Sequence, residues 1–151
     1  MSSESLTIRS ADGLEFDAYV SRPKTEHRPV VVVIQEIFGV NKVMRDIADW
    51  VAEQGFIAIV PDLFHRQEKG IQLTDQTEAE WARAFELYKG FNEDLGVDDL
   101  KATVATTRKL DGSNGKTGTM GFCLGGKLAY LMSTRSDADA NVGYYGVGIE
   151  N

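Results

Sequence analysis

Hydrophobic and polar positions along the chain follow two periods. Leu6 to Arg9 and Leu14 to Val20 alternate apolar with polar residues around Asp12-Gly13, the pattern of a β-hairpin with one wet face. Val30-Val31-Val32-Val33-Ile34 and Phe56-Ile57-Ala58-Ile59-Val60 are continuously apolar and rich in β-branched residues, as strands covered on both faces require. Between them Val43, Met44, Ile47, Ala48, Val51 and Ala52 recur at helical spacing, with Asn41 placed to cap the helix and Gly55 to end it. Helices are also predicted from Thr74 or Asp75 to about Lys89, and from Asp94 to Leu110. Asp111 to Gly115 reads as a turn cluster. Lys116 to Met120 is a third buried strand, Leu124 to about Thr134 a helix, and Asn141 to Tyr145 a fourth strand.

Strands alternating with helices predict an α/β fold, a doubly wound and mostly parallel sheet with helices on both faces. In such sheets ligands bind at the carboxyl ends of the strands. Glu36, Pro61-Asp62, Cys123 and Tyr145 all fall at such ends.

Composition narrows the function. With 151 residues the chain is a single domain, residues 1–151. Its 42% hydrophobic and 26% charged residues are those of an ordinary globular protein. The net charge of −7, without any basic run, argues against nucleic acid and anionic membranes as partners. One cysteine makes no internal disulfide, and Met1 to Leu6 shows no apolar leader, so a cytoplasmic protein is expected. Two isolated histidines and one cysteine lack the spacing of metal ligands, and neither metal nor cofactor is expected.

That cysteine carries the chemistry. Gly121-Phe122-Cys123-Leu124-Gly125 places it between a predicted strand and a predicted helix, in the Gly-x-Cys-x-Gly frame of a nucleophile elbow. The glycines let strand and helix pass closely while the nucleophile takes a strained backbone. A free thiol of pKa ~8.5 is only a few per cent thiolate at neutral pH. The following helix dipole supplies about 0.3–1 kcal/mol, less than one pKa unit, so a base is needed. Glu36, closing the first buried strand amid apolar flanks, is the candidate.

At these residues the chain resembles the dienelactone hydrolase (carboxymethylenebutenolidase) family of α/β-hydrolases. The resemblance is carried by Gly121-Phe122-Cys123-Leu124-Gly125-Gly126, Gln35-Glu36-Ile37-Phe38-Gly39-Val40-Asn41, Pro61-Asp62-Leu63-Phe64 and Val142-Gly143-Tyr144-Tyr145-Gly146-Val147-Gly148. It implies a cysteine-nucleophile hydrolase that opens lactones or esters of small molecules, carboxylated ones included, through an acyl-thioester. Cys123 and Glu36 would be catalytic, and the backbone N–H groups of Ile37 and Leu124 would form the oxyanion hole. Phe38, Trp81, Phe85 and Tyr144 would bind substrate.

Two departures stand out. Trp81 occupies the position of the arginine that holds the family's resting glutamate, and Arg83, two residues on, does not share its helix face. No histidine follows Cys123, and His65 is expected on a surface loop. The resemblance therefore implies either an N-terminal portion of a hydrolase, lacking the last strands, or a chain that completes itself with another chain, association covering the open sheet edge. Two rivals remain: a non-catalytic remnant that folds by associating, and a different acyl-transfer enzyme with a cysteine elbow.

Overall fold

The computed structural model describes all 151 residues. Strands β1 (Ser2–Arg9) and β2 (Glu15–Arg22) form the predicted hairpin, longer at both outer ends than the alternation suggested. Then follow β3 (Arg28–Ile34), α1 (Lys42–Glu53), β4 (Ile57–Pro61), α2 (Glu78–Lys89) and α3 (Glu93–Arg108), and after them β5 (Ser113–Phe122), α4 (Leu124–Arg135) and β6 (Ala140–Tyr144). The six strands make one sheet in the order β1-β2-β4-β3-β5-β6. β4, β3, β5 and β6 run parallel, and β2 joins β4 antiparallel.

Side-chain oxygens set the helix starts. Asn41 Oδ1 accepts the Met44 N–H at 3.1 Å and begins α1 where expected. Thr77 Oγ1 accepts the Glu80 N–H at 3.2 Å, so α2 starts a few residues later than the apolar period implied. The intervening Thr74 is engaged elsewhere, its N–H and hydroxyl both donating to the Glu80 carboxylate.

The sheet is covered unequally. On one face α3 and α4 complete a core of 24 buried residues that includes Phe16, Ile34, Leu100, Leu128 and Met132. The other face carries α1 alone, over a core of 6 buried residues: Val33, Met44, Ala48, Val51, Ala58 and Val60. Val43, expected on the inner side of α1, is exposed instead. β6 pairs only with β5, and its Val142 and Tyr144 are exposed. No helix is long and apolar enough to cross a membrane.

One topological fact places the site. From β3 the chain moves to β4 on one side, then crosses to β5 on the other. The order reverses at β3, and a crevice opens at the carboxyl ends of β3 and β5. Glu36 leaves the first of these strands and Cys123 the second.

Candidate active site

Cys123 occupies the cap position of α4 with φ 57° and ψ −115°, left-handed backbone that non-glycine residues rarely adopt. The glycines on either side make this possible. A Cβ on Gly121 would overlap the Gly125 carbonyl, and one on Gly125 would overlap the carbonyls of Ile34 and Gln35. The bend is fixed from outside as well: the Cys123 N–H donates to the Tyr144 carbonyl at 3.1 Å, and the Val147 N–H donates to the Cys123 carbonyl at 3.3 Å.

The half-buried thiol is held above its ordinary pKa, first by burial and then by the charge of Glu36, with the Leu124 N–H opposing both. The helix start was expected to favour thiolate. It does so through that N–H, but burial and the neighbouring carboxylate outweigh it. The sulfur rests as a thiol, which makes a proton acceptor necessary for attack.

Glu36 is half-buried, and its own pKa is raised by burial and by the charge of Asp75. The Tyr145 hydroxyl, donating to Glu36 Oε2 at 3.3 Å, works the other way. Tyr145 itself has positive φ, 39°, and its ring lies 6.1 Å from that of Phe122 in the elbow. Sequence reading placed it at a strand end without a role and favoured its neighbour. Tyr144 instead stacks on Phe122, ring centroids 5.0 Å apart, outside the hollow beside Glu36.

Gln35, in the Gln35-to-Asn41 motif, braces the site through its side chain. Its buried side chain donates to the Glu36 carbonyl at 3.1 Å and accepts the Leu63 N–H at 3.0 Å, tying the end of β3 to the loop after β4. A polar residue at the end of an otherwise apolar strand was the available signal.

Of the two oxyanion candidates, Leu124 opens α4 directly after Cys123, and its N–H works to lower the thiol pKa. The Ile37 N–H donates to no group of the chain, although its side chain is buried.

Beside Glu36 lies a cavity of about 350 Å³ between the loop after β3, the start of α1 and α2. Phe38 and Trp81 meet edge to face there, centroids 5.1 Å apart, and Phe85 stacks behind Trp81 at 5.6 Å. Tyr88 packs against the larger core. Arg83 turns away and pairs with Glu86 at 2.9 Å and Glu68 at 3.6 Å, so it does not take up the role left by Trp81. A slightly larger hollow of about 370 Å³, beside Tyr19, Arg45 and Asp62, is lined by neither Cys123 nor Glu36.

His65 is not a surface loop residue. It is buried, stacked on Phe16, with Nε2 2.8 Å from Asp99 Oδ2. Arg66 grips the same carboxylate through Nη2 at 2.8 Å and Nε at 3.1 Å, and also reaches Asp12 and Ser10. The cluster joins the hairpin, the loop after β4 and α3, and serves the fold. Asp137 and Asp139, too early in the chain for the family's acid, pair with Arg108. No group of three or more histidine, cysteine or acidic side chains is placed to hold a metal ion.

A sheet order that reverses at β3, with a cysteine on a glycine-bracketed bend after β5, defines an α/β-hydrolase fold. The dienelactone hydrolase family model matches residues 16–151, and the chain belongs to that family. It is 44% identical to a carboxymethylenebutenolidase of Pseudomonas putida over 150 residues, 99% of this chain and 64% of that protein. Against carboxymethylenebutenolidase 1 of Cupriavidus pinatubonensis it is 40% identical over the same shares. A crystal structure from Klebsiella pneumoniae, provisionally described as a dienelactone hydrolase, superimposes with a TM-score of 0.79 at 27% identity, over 97% of this chain and 61% of that one. The chain thus spans a little under two thirds of the length of these relatives.

Proposed function

We propose that this chain carries the acyl-accepting chemistry of a hydrolase for small lactones and esters, with Cys123 as nucleophile and Glu36 as its base. The observation that carries the reading is the position of Cys123: left-handed backbone at the cap of α4, leaving β5 beside the strand that Glu36 leaves. Relatives named carboxymethylenebutenolidases supply the substrate class.

In the proposed step Glu36 takes the thiol proton as Sγ attacks the substrate carbonyl carbon. The new C–S bond pushes an electron pair onto the carbonyl oxygen, which the N–H groups of Ile37 and Leu124 stabilise. When that oxyanion collapses, the C–O bond to the leaving oxygen breaks with its electron pair, and this oxygen recovers the proton from Glu36. For a lactone, the product is a ring-opened acyl-thioester on Cys123. Phe38 and Trp81, backed by Phe85, form the apolar wall for the substrate, and Tyr145 steadies the base. Tyr144 contributes its carbonyl to the elbow. Release of the acid needs water activated at the same carbon. His65 is engaged with Asp99 and His27 lies in the loop before β3, so acylation is expected to outrun deacylation in this chain.

The test is direct because the chain has one cysteine. Mixing with p-nitrophenyl acetate should release about one equivalent of p-nitrophenolate in a burst and add one acetyl group to Cys123 by intact mass, and Cys123→Ala should abolish both. Acylation no faster than that of a small free thiol would sink the proposal and favour a non-catalytic role.

A further inference from the structure

We infer that the cavity beside Glu36 selects uncharged acyl groups, aromatic or aliphatic, over carboxylated ones. The inference rests on the proposed role of Cys123 and adds the substrate's charge.

Three ionisable side chains face the cavity: Glu36, Asp75 and Lys42. Two are acids, and Lys42 Nζ is bound to Asp46 Oδ2 at 2.6 Å on the exposed side of α1. The neighbouring arginines are turned elsewhere. Arg45 donates to the Val40 carbonyl and to Gln72, and Arg83 pairs with Glu86 and Glu68.

Neutral side-chain donors on the walls are also taken. The Trp81 indole N–H donates to the Asp75 carbonyl at 2.9 Å. The Asn41 amide donates to the Leu73 carbonyl at 2.9 Å while its oxygen caps α1. The Thr74 hydroxyl donates to Glu80, which places a further carboxylate at this rim. What remains is the aromatic surface of Phe38 and Trp81, backed by Phe85. A carboxylate entering here would lose water, find every side-chain donor of the walls already paired and face two like charges. An apolar acyl group would lose only its contact with water.

The experiment compares p-nitrophenyl butyrate with mono-p-nitrophenyl succinate as acylating agents for Cys123, located by intact mass. Each rate is divided by that ester's rate with a small free thiol, which removes intrinsic reactivity. The butyrate ester should be favoured by about tenfold or more, equivalent to about 1.4 kcal/mol. About 0.5 M salt should narrow the gap by screening. Trp81→Arg, which introduces a cation, and Asp75→Asn, which removes an anion at an exposed position, should each narrow it about threefold or more. If the tryptophan variant does not fold, the Asp75 variant decides. Equal or faster acylation by the succinate ester overturns the selectivity while leaving Cys123 as nucleophile. If neither ester exceeds its free-thiol rate, the nucleophile assignment falls, and the selectivity with it.

Discussion

At the scale of single residues, the chemistry is a contest over one proton. Burial and Glu36 keep it on Cys123, and the Leu124 N–H alone opposes them. Replacing Glu36 with Gln removes both the base and the repelling charge, so two readouts should move in opposite directions. Acylation by p-nitrophenyl acetate should fall by about 10²–10⁴, the usual worth of a general base. Alkylation by iodoacetamide, which needs only thiolate, should reach its half-rate at lower pH. A parallel loss in both would mean that Glu36 supports structure alone. Tyr145→Phe removes the hydrogen bond that favours the ionised form of Glu36. The carboxyl pKa should rise further, and the pH of half-maximal acylation with it. An unchanged pH profile would exclude the tyrosine from the site.

Strands and helices place these residues within reach of each other. β3 and β5 are hydrogen-bonded neighbours, with Ile34 opposite Gly121. The chain leaving β3 and the chain leaving β5 therefore turn into one crevice. The close approach depends on α4 starting directly against the end of β3, which only glycine at position 125 allows. Gly125→Ala should cost about 1–3 kcal/mol of stability through overpacking, and should slow acylation by displacing the bend. Urea unfolding and the nitrophenolate burst would measure the two effects. Retained stability together with full acylation would show that α4 shifts without cost. Caps act more locally: Asn92 Oδ1 accepts the Leu95 N–H at 3.0 Å, and Asn92→Ala should lose about 1 kcal/mol with no effect on the thiol.

For the molecule as a whole, the buried His65–Asp99–Arg66 cluster locks the outer hairpin to α3. Burial works to raise the Asp99 pKa, but hydrogen bonds from His65, Arg66 and Ser10 outweigh it and hold the carboxyl below its ordinary value. A depressed carboxyl pKa stabilises the fold at pH values above the unfolded-state value of about 3.9, and that contribution is lost as pH falls through the folded value. Glu36 has the opposite sign. Its raised pKa favours the fold below the unfolded value, and the benefit is lost as pH rises through the folded one. Asp99→Asn should therefore destabilise by about 1–3 kcal/mol at neutral pH, because buried His65 and partly exposed Arg66 both lose a charged acceptor. It should also flatten the decline in stability below about pH 4. Urea melts across pH would show both, and a variant as stable as the parent would mean that the cluster is dispensable.

Much of this was legible in the residues because local rules act on short windows. The β-branched runs of β3 and β4 could be nothing but buried strands. The glycine frame of Cys123 follows from the space that a strand-to-helix bend needs, and Asn41 capped α1 as its side chain allows. The start of α2 was misjudged because Thr74 and Thr77 are both competent caps, and the contact of Thr74 with Glu80 decided between them. His65 was misplaced because polarity along the chain does not reveal that Asp99, 34 positions away, provides a buried partner. By itself the sequence determined the alternation of strands and helices, the elbow and its family, since periodicity and turn chemistry are properties of neighbouring residues. Only the tertiary structure decided that Tyr145 rather than Tyr144 reaches Glu36, that Gln35 braces it, and that the side-chain donors around Trp81 are already engaged. Those facts depend on which distant groups meet once the sheet order reverses, and side-chain partnership across space leaves no period in the chain.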